Sequence, residues 1–165
     1  MGVLHGLKKY VTELHGGYQR LEYAGWRDVP EKYRQSSVPG LDWMLKGLHE
    51  RAAVWLNIGW YFENDGAFQR KGGHWVTLVG YRDGQLIIHD PGPWADNAGA
   101  GQLVRITTLT TGELQGNYRG LPRKAVGFLT LDQAMPAAYG GSIAIIDGAV
   151  LLVLNYSSQK TYTSQ

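Results

Sequence analysis

Apolar side chains recur at helical spacing in two stretches near the start of the chain. The first stretch predicts a helix from about residue 3 to 15, which the glycine pair at 16 and 17 ends. The second begins at Leu41 and predicts a helix of about ten residues. The apolar positions of the two stretches are Val3, Leu4, Leu7, Tyr10, Val11 and Leu14, followed by Leu41, Met44, Leu45 and Leu48.

The rest of the chain has β-type patterns. A largely apolar run, AAVWLNIGWY at 52–61, is typical of a strand covered on both faces. A polar loop, FENDGAFQRKGG, then leads into a β-hairpin, GGHWVTLVGYRDGQLIIHDPGP at 72–93. Further strands are predicted for YQRLEYAGW, LVRITTL and RKAVGFLTL, and two runs around Asp147-Gly148 predict a C-terminal β-hairpin over 141–156. The order α, β, α and then several strands indicates a single α+β domain over residues 1–165, with its helices first and an antiparallel sheet later.

Composition narrows the function classes. Of the 165 residues, 44% are hydrophobic and 18% are charged, which is typical of one folded domain. The net charge of +2 comes from interspersed residues, and no basic run is long enough to follow a phosphate backbone, so nucleic acid is not an expected partner. The longest apolar run, AVLLVL, is too short to cross a bilayer, so we expect no membrane insertion. Lysines interrupt the apolar pattern of MGVLHGLKKYVTELHG, so we expect neither a signal peptide nor a membrane anchor there, and the localisation stays open.

The chain contains no cysteine. Disulfides, thiolate metal sites and a thiol nucleophile are therefore excluded within this sequence. No metal ion or other cofactor is expected.

The hairpin at 72–93 places a histidine, His74, at the head of one strand and an aspartate, Asp90, at the foot of the next. With a two-residue loop at Asp83-Gly84 and a regular ladder, these side chains point to opposite faces of the sheet. With a three-residue loop at 82–84, or with a bulge, His74 becomes the diagonal neighbour of Asp90 on one face. The carboxylate could then hold one ring nitrogen and leave the other for chemistry. Either turn fits the sequence.

Simpler interpretations of the same residues exist. His74 can be an ordinary strand residue, and Asp-Pro-Gly at 90–92 is a common turn composition. A metal site that adds His89 is disfavoured, because neighbouring residues of a strand face opposite sides. Ser36 and Ser37 lie in a polar loop that lacks the rigid turn a nucleophilic serine normally has.

The segment GWY together with GGHWVTLVGYRDGQLIIHDPGP resembles the C-terminal half of papain-like cysteine peptidases, and in particular the bacterial branch around the bacteriocin-processing, double-glycine leader peptidases. The likeness extends over about residues 3 to 93, with the two helices as its weak part. It implies a papain-like fold, with N-terminal helices packed on a C-terminal antiparallel sheet. It also implies that His74 is the general base of a catalytic site and that Asp90 orients it.

The sequence departs from that family at the nucleophile, since the family's cysteine and the helix that bears it are missing. Two functions are compatible with this departure. One is a peptidase-type domain that hydrolyses peptide bonds only when an upstream segment or another chain supplies the cysteine. The other is a non-catalytic module that binds peptide or cell-wall material in the old cleft. A small metal-dependent hydrolase is a third and weaker reading.

Aromatic residues are the expected lining of the cleft in both cases. The candidates for contact with a peptide or protein ligand are Trp60, Tyr61, Trp75 and Trp94. Loss of the family's nucleophile helix would expose apolar surface on the sheet. We expect a homodimer, an element swapped between two copies, or the apolar C-terminal hairpin to cover that surface.

Overall fold

The structure is a computed structural model, and it describes residues 2–95, 100–116, 121–132 and 136–155. Its two helices are α1 (Gly2–His15) and α2 (Leu41–His49). Short 3-10 turns occupy Glu31–Tyr33 and Ala137–Tyr139. The strands are β1 (Tyr18–Gly25), β2 (Arg34–Ser36), β3 (Ala53–Asn64), β4 (Ala67–Arg82), β5 (Gln85–His89), β6 (Gln102–Thr108), β7 (Glu113–Gln115), β8 (Arg123–Lys124), β9 (Leu129–Asp132) and β10 (Ile143–Leu154).

Six strands close on themselves. β3 pairs with β4, β4 with β5, β5 with β6, β6 with β9, β9 with β10, and β10 returns to β3, every pair being antiparallel. A sheet that closes in this way is a barrel, and closure removes the free edges that an open sheet would leave.

The interior of the barrel follows from the two-residue period of its strands. On β3 the even-numbered residues from Val54 to Trp60 point inward, and their partners Val76 and Leu78 on β4 do the same. Inward side chains of the other four strands complete one apolar cluster. Met44 of α2, which is fully buried, packs into that cluster.

Helix α2 covers one mouth of the barrel. A side chain at its Gly47 would collide with Leu151 and crowd Val54, so the helix backbone lies directly on the sheet at this point. Trp60 lies six residues after Val54 on β3, which is a distance of roughly 20 Å at the usual rise of a strand. Trp60 therefore belongs to the opposite mouth.

The remaining strands and helix α1 lie outside the barrel. β1 pairs with the second half of β10, and β2 lies parallel to β1. β7 lies parallel to the start of β4, and β8 pairs with β7. Helix α1 packs on β1 and β10 through Leu4 and Val11, which are buried.

The expected fold class, an α+β papain-like arrangement with N-terminal helices on a C-terminal antiparallel sheet, is wrong. The described chain is mostly strand, and its sheet is large and mixed because β1–β2 and β4–β7 are parallel pairs. The first strand, β1, pairs with the last, β10, so the helices do not form a separate N-terminal layer.

Three local predictions also differ from the structure. Residues 62–73 are not a loop, because β3 and β4 run through them and turn at Asp65-Gly66. The predicted hairpin over 141–156 is one strand, β10, with a bulge at Asp147; Tyr156 is outside the described residues. RKAVGFLTL is divided between β8 and β9, with a turn around Gly127.

The strands and helices at the start of the chain are confirmed. α1, β1, α2 and the first part of β3 lie where the periodicity predicted them. Within the described residues, neither helix is long and apolar enough to cross a bilayer.

Candidate active site at the barrel mouth

A bulge brings His74 and Asp90 to the same face. The loop between β4 and β5 has two residues, Asp83 and Gly84, both with positive φ, so of the two turns that fit the sequence the shorter one is formed. Further along the ladder Leu78 pairs with Ile88 and Gly80 with Ile87, which leaves Val79 without an opposite residue. This extra residue shifts the register by one. Asp90 therefore lies two residues after Ile88 on the inward face of β5, and His74 lies two residues before Val76 on the inward face of β4.

The imidazole and the carboxylate are in direct contact. Nε2 of His74 lies 2.6 Å from Oδ1 of Asp90. The same Oδ1 accepts a hydrogen bond of 2.7 Å from the backbone N–H of Gly92, which fixes the carboxylate in the turn after β5. Asp90 is 1% exposed, and its other oxygen, Oδ2, is buried without a hydrogen-bond partner among the described residues.

The contact assigns different roles to the two ring nitrogens. A carboxylate oxygen can only accept, so Nε2 is the nitrogen that carries the proton. In the described part of the chain Nδ1 has no hydrogen-bond partner, and the side chain of His74 is 16% exposed. Nδ1 is therefore available to accept a proton from a group that approaches the mouth.

Aromatic rings surround the imidazole. The ring of Trp60 is nearly parallel to it, with centroids 6.1 Å apart, and the ring of Trp94 meets it edge-on at 5.0 Å. Tyr139, from the 3-10 turn before β10, stacks on Trp60 at 4.5 Å. The Tyr139 ring approaches the backbone of β4 so closely that only a glycine fits at position 72, since a Cβ there would lie 2.6 Å from the ring. These rings limit the access of water to His74.

The indole N–H groups of this aromatic wall have no partner. Nε1 of Trp60 and Nε1 of Trp94 are both buried and make no hydrogen bond among the described residues. Together with Oδ2 of Asp90, they are three unsatisfied polar atoms around one mouth. Buried polar groups are normally paired, so an unpaired set of this kind is expected where a ligand or ordered water binds.

Comparisons with known proteins give no family. No protein-family model, curated protein or solved structure matches this chain. Its function is therefore inferred from the chemistry of its residues and from the hairpin motif.

Two of the predicted ligand contacts lie elsewhere. Tyr61 is fully buried on the outer side of β3, where its hydroxyl donates to Asp147, and it has no surface for a ligand. Trp75 points away from the barrel interior and packs in the outer cluster with α1 and β1. Trp60 and Trp94 remain as the predicted residues that contact His74.

The alternative site residues are separated from the mouth. His89 is exposed and points to the outer face, opposite Thr77. Ser36 closes β2 outside the barrel and donates its hydroxyl to the carbonyl of Val38. No group of three His, Cys, Asp or Glu side chains in the described ranges is arranged to hold a metal ion.

Sequence reasoning missed a second buried polar cluster, centred on Asp147 in the bulge of β10. Oδ2 of Asp147 accepts from Nε of Arg70 at 2.7 Å and from the hydroxyl of Tyr61 at 3.0 Å. The carboxyl group is completely buried, and its Oδ1 has no partner among the described residues. The Asp-Gly pair predicts a turn, and no local signal indicates partners 77 and 86 residues away.

Burial determines the charge behaviour of this cluster. Desolvation raises the pKa of Asp147, and the positive charge of Arg70 only partly offsets it. Desolvation and the nearby carboxylate also raise the pKa of Tyr61, so its hydroxyl stays protonated as a donor. The cluster joins β3, β4 and β10 on the outer side of the barrel.

Proposed function

We propose that the barrel mouth is the histidine half of a hydrolytic active site that cleaves peptide bonds. His74 is the general base, Asp90 holds it in one tautomer, and the nucleophile is a cysteine supplied by an upstream segment or by another chain. The observation that carries this proposal is the 2.6 Å contact between His74 Nε2 and Asp90 Oδ1, which leaves Nδ1 for an incoming group.

The proposed chemistry follows from that geometry. Nδ1 of His74 takes the proton of the thiol, and Asp90 stabilises the imidazolium through the Nε2 hydrogen bond. The thiolate attacks the peptide carbonyl, and Nδ1 then returns the proton to the leaving amine. Water hydrolyses the thioester, with Nδ1 accepting a proton from the water and returning it to the thiol. No step consumes an external oxidant or reductant.

Two further features support a peptide as the substrate. Trp60 and Trp94 form an apolar wall next to the base, a surface that suits the side chains of a peptide. The hairpin sequence GGHWVTLVGYRDGQLIIHDPGP also resembles the corresponding motif of cysteine peptidases. The resemblance suggests the reaction class, and it does not extend to the overall fold.

The decisive experiment measures whether a cysteine depends on His74. The chain is expressed together with the coding sequence that precedes it in its gene, and reactive cysteines are titrated with iodoacetamide at a pH of about 6, where an ordinary thiol is mostly protonated. The proposal expects one cysteine that reacts faster than glutathione and slows at least tenfold in His74→Ala.

His89→Ala is the matched control, since His89 is adjacent to the site and points outward. It should leave the reactivity unchanged. If no such cysteine exists in the extended protein or in a polypeptide that copurifies with it, the hydrolytic proposal is wrong.

A second candidate is a non-catalytic module that binds a peptide or cell-wall peptide at the same mouth. The lack of cysteine in the chain favours it, as does the aromatic wall that Trp60 and Trp94 form. In that case peptide binding would weaken in Trp94→Ala, while His74→Gln would leave the affinity nearly unchanged. In the hydrolase, loss of His74 abolishes turnover.

A further inference from the structure

A separate cavity lies on the outer side of the barrel, between α1 and the ends of β3 and β10. Its volume is about 470 Å³, within the range of roughly 300–1,000 Å³ that small-molecule sites occupy. The lining is predominantly apolar and includes Leu7, Val11, Trp55, Leu152 and Leu154. Trp55 is an outward residue of β3, so this cavity is distinct from the mouth that holds His74.

One cation, Arg51, lies in the lining of this apolar cavity. Arg51 is exposed, and it forms no ion pair among the described residues. The neighbouring carboxylate, Glu50, is engaged elsewhere, with Arg20 at 2.5 Å and with Lys46 at 3.8 Å. An unpaired guanidinium beside an apolar cavity complements a ligand that combines an apolar body with one negative charge.

The backbone at Arg51 is in an unfavourable conformation for this residue. Its φ is 60°, in the left-handed region, and it follows the last turn of α2, where glycine is the common choice. A non-glycine residue in this region costs about as much free energy as a lost hydrogen bond. Arg51 therefore occupies a position that glycine would adopt without strain.

We infer that the cavity between α1 and the barrel binds an unbranched carboxylic acid, with the carboxylate paired to Arg51 and the alkyl chain along Leu7, Val11, Trp55 and Leu152. A carboxylate matches the fork of a guanidinium, and an alkyl chain matches the apolar lining. This inference is independent of the proposed hydrolytic function, since it uses none of the residues at the barrel mouth.

The test is titration calorimetry of the full chain with decanoate as the probe. Binding should become about fourfold stronger for each added methylene between octanoate and decanoate. Decanol, which lacks the charge, should bind about tenfold more weakly than decanoate. Arg51→Gln should lose about tenfold in decanoate affinity, whereas Arg82→Gln, an exposed arginine on the β4–β5 hairpin, should change nothing.

Arg51→Gly separates a ligand role from a structural one. Glycine relieves the left-handed backbone, so the variant should melt at the same temperature as the wild type or higher, and should still lose decanoate binding. Lack of decanoate binding, equal affinity in Arg51→Gln, or a loss of stability in Arg51→Gly would each overturn the inference. So would decanoate binding that appears only after removal of residues 156–165, because the chain's own C-terminal segment would then be the occupant.

Discussion

His74 and Asp90 meet because Val79 is left out of the β4–β5 ladder. The two-residue turn at Asp83-Gly84 would place the side chains on opposite faces in a regular ladder, and the bulge at Val79 restores the common face. The 2.6 Å contact at the mouth thus depends on an irregularity several residues away.

Deletion of Val79 is predicted to preserve this contact. The ladder pairs on both sides of the bulge stay the same when the unopposed residue is removed, and Val79 is 41% exposed, so little packing is lost. The Nε2–H resonance of His74 in a nitrogen-15 NMR spectrum should remain. The exchange variant H74W/W75H, which moves the imidazole to the outer face, is the control that should lose it. Loss of the resonance on deletion of Val79 would contradict the register described above.

Asp90→Ala is predicted to lower the free energy of unfolding by about 2 kcal/mol, because it leaves the Gly92 N–H and the His74 Nε2–H without an acceptor. Asp90→Asn keeps an oxygen at this position and should lose less than half as much. Urea unfolding measures both, with the exposed Asp132→Ala as the control. Equal losses in the alanine and asparagine variants would show that the hydrogen bonds are not the cause.

Tyr139→Ala is predicted to open the aromatic wall. Tyr139 stacks on Trp60, which is only 4% exposed, so removal of the phenol ring should let solvent reach the indole. Acrylamide quenching of tryptophan fluorescence should increase, and the increase should disappear in a Trp60→Phe background. Tyr81→Ala, at a 42% exposed tyrosine, should leave the quenching unchanged.

Arg70→Ala is predicted to destabilise the protein by about 3–5 kcal/mol at neutral pH, because it leaves the buried carboxylate of Asp147 without its cation. Adding Asp147→Asn should recover part of the loss, since the uncompensated charge is then removed. A double-mutant cycle in urea gives the coupling. Additive losses would mean that the 2.7 Å pair contributes no interaction of its own.

The stability difference between the wild type and Asp147→Asn is predicted to depend on pH. The pKa of Asp147 is raised in the folded protein, so the folded state binds the proton more tightly than the unfolded state. Its contribution is therefore complete below the ordinary aspartate pKa of about 4 and is lost as pH rises through the raised value. Urea unfolding should show the wild type losing stability relative to Asp147→Asn from about pH 4 upward. A relative gain would show that the Arg70 charge outweighs desolvation.

Local periodicity was sufficient to predict α1, β1, α2 and the first part of β3, where one apolar face packs on a neighbouring layer. It was not sufficient for segments whose conformation depends on distant partners. Asp65-Gly66 carries the dipeptide signal of a tight turn, and the polar residues around it belong to strand ends with exposed faces. A closer reading of that dipeptide could have found this hairpin.

The Asp147-Gly148 pair carries the same dipeptide signal and is not a turn. The bulge accommodates a carboxylate that Arg70 and Tyr61 hold from other strands, and this tertiary contact overrides the turn preference. At the candidate site, the sequence indicated that His74 and Asp90 could meet. Tyr139 was missed, since nothing near it in sequence indicates that it stacks on Trp60.

The position of β10 affects how this protein can be synthesised. β10 borders β1, β3 and β9, so the barrel cannot close until residues 143–154 are available. During synthesis, the edges of β3 and β9 that later pair with β10 have no partner strand. The pairing of β10 with β3 joins segments that are far apart in sequence, and such pairing is slow. A nascent chain that ends before residue 143 therefore cannot form the closed barrel, and its unpaired strand edges can associate with other chains.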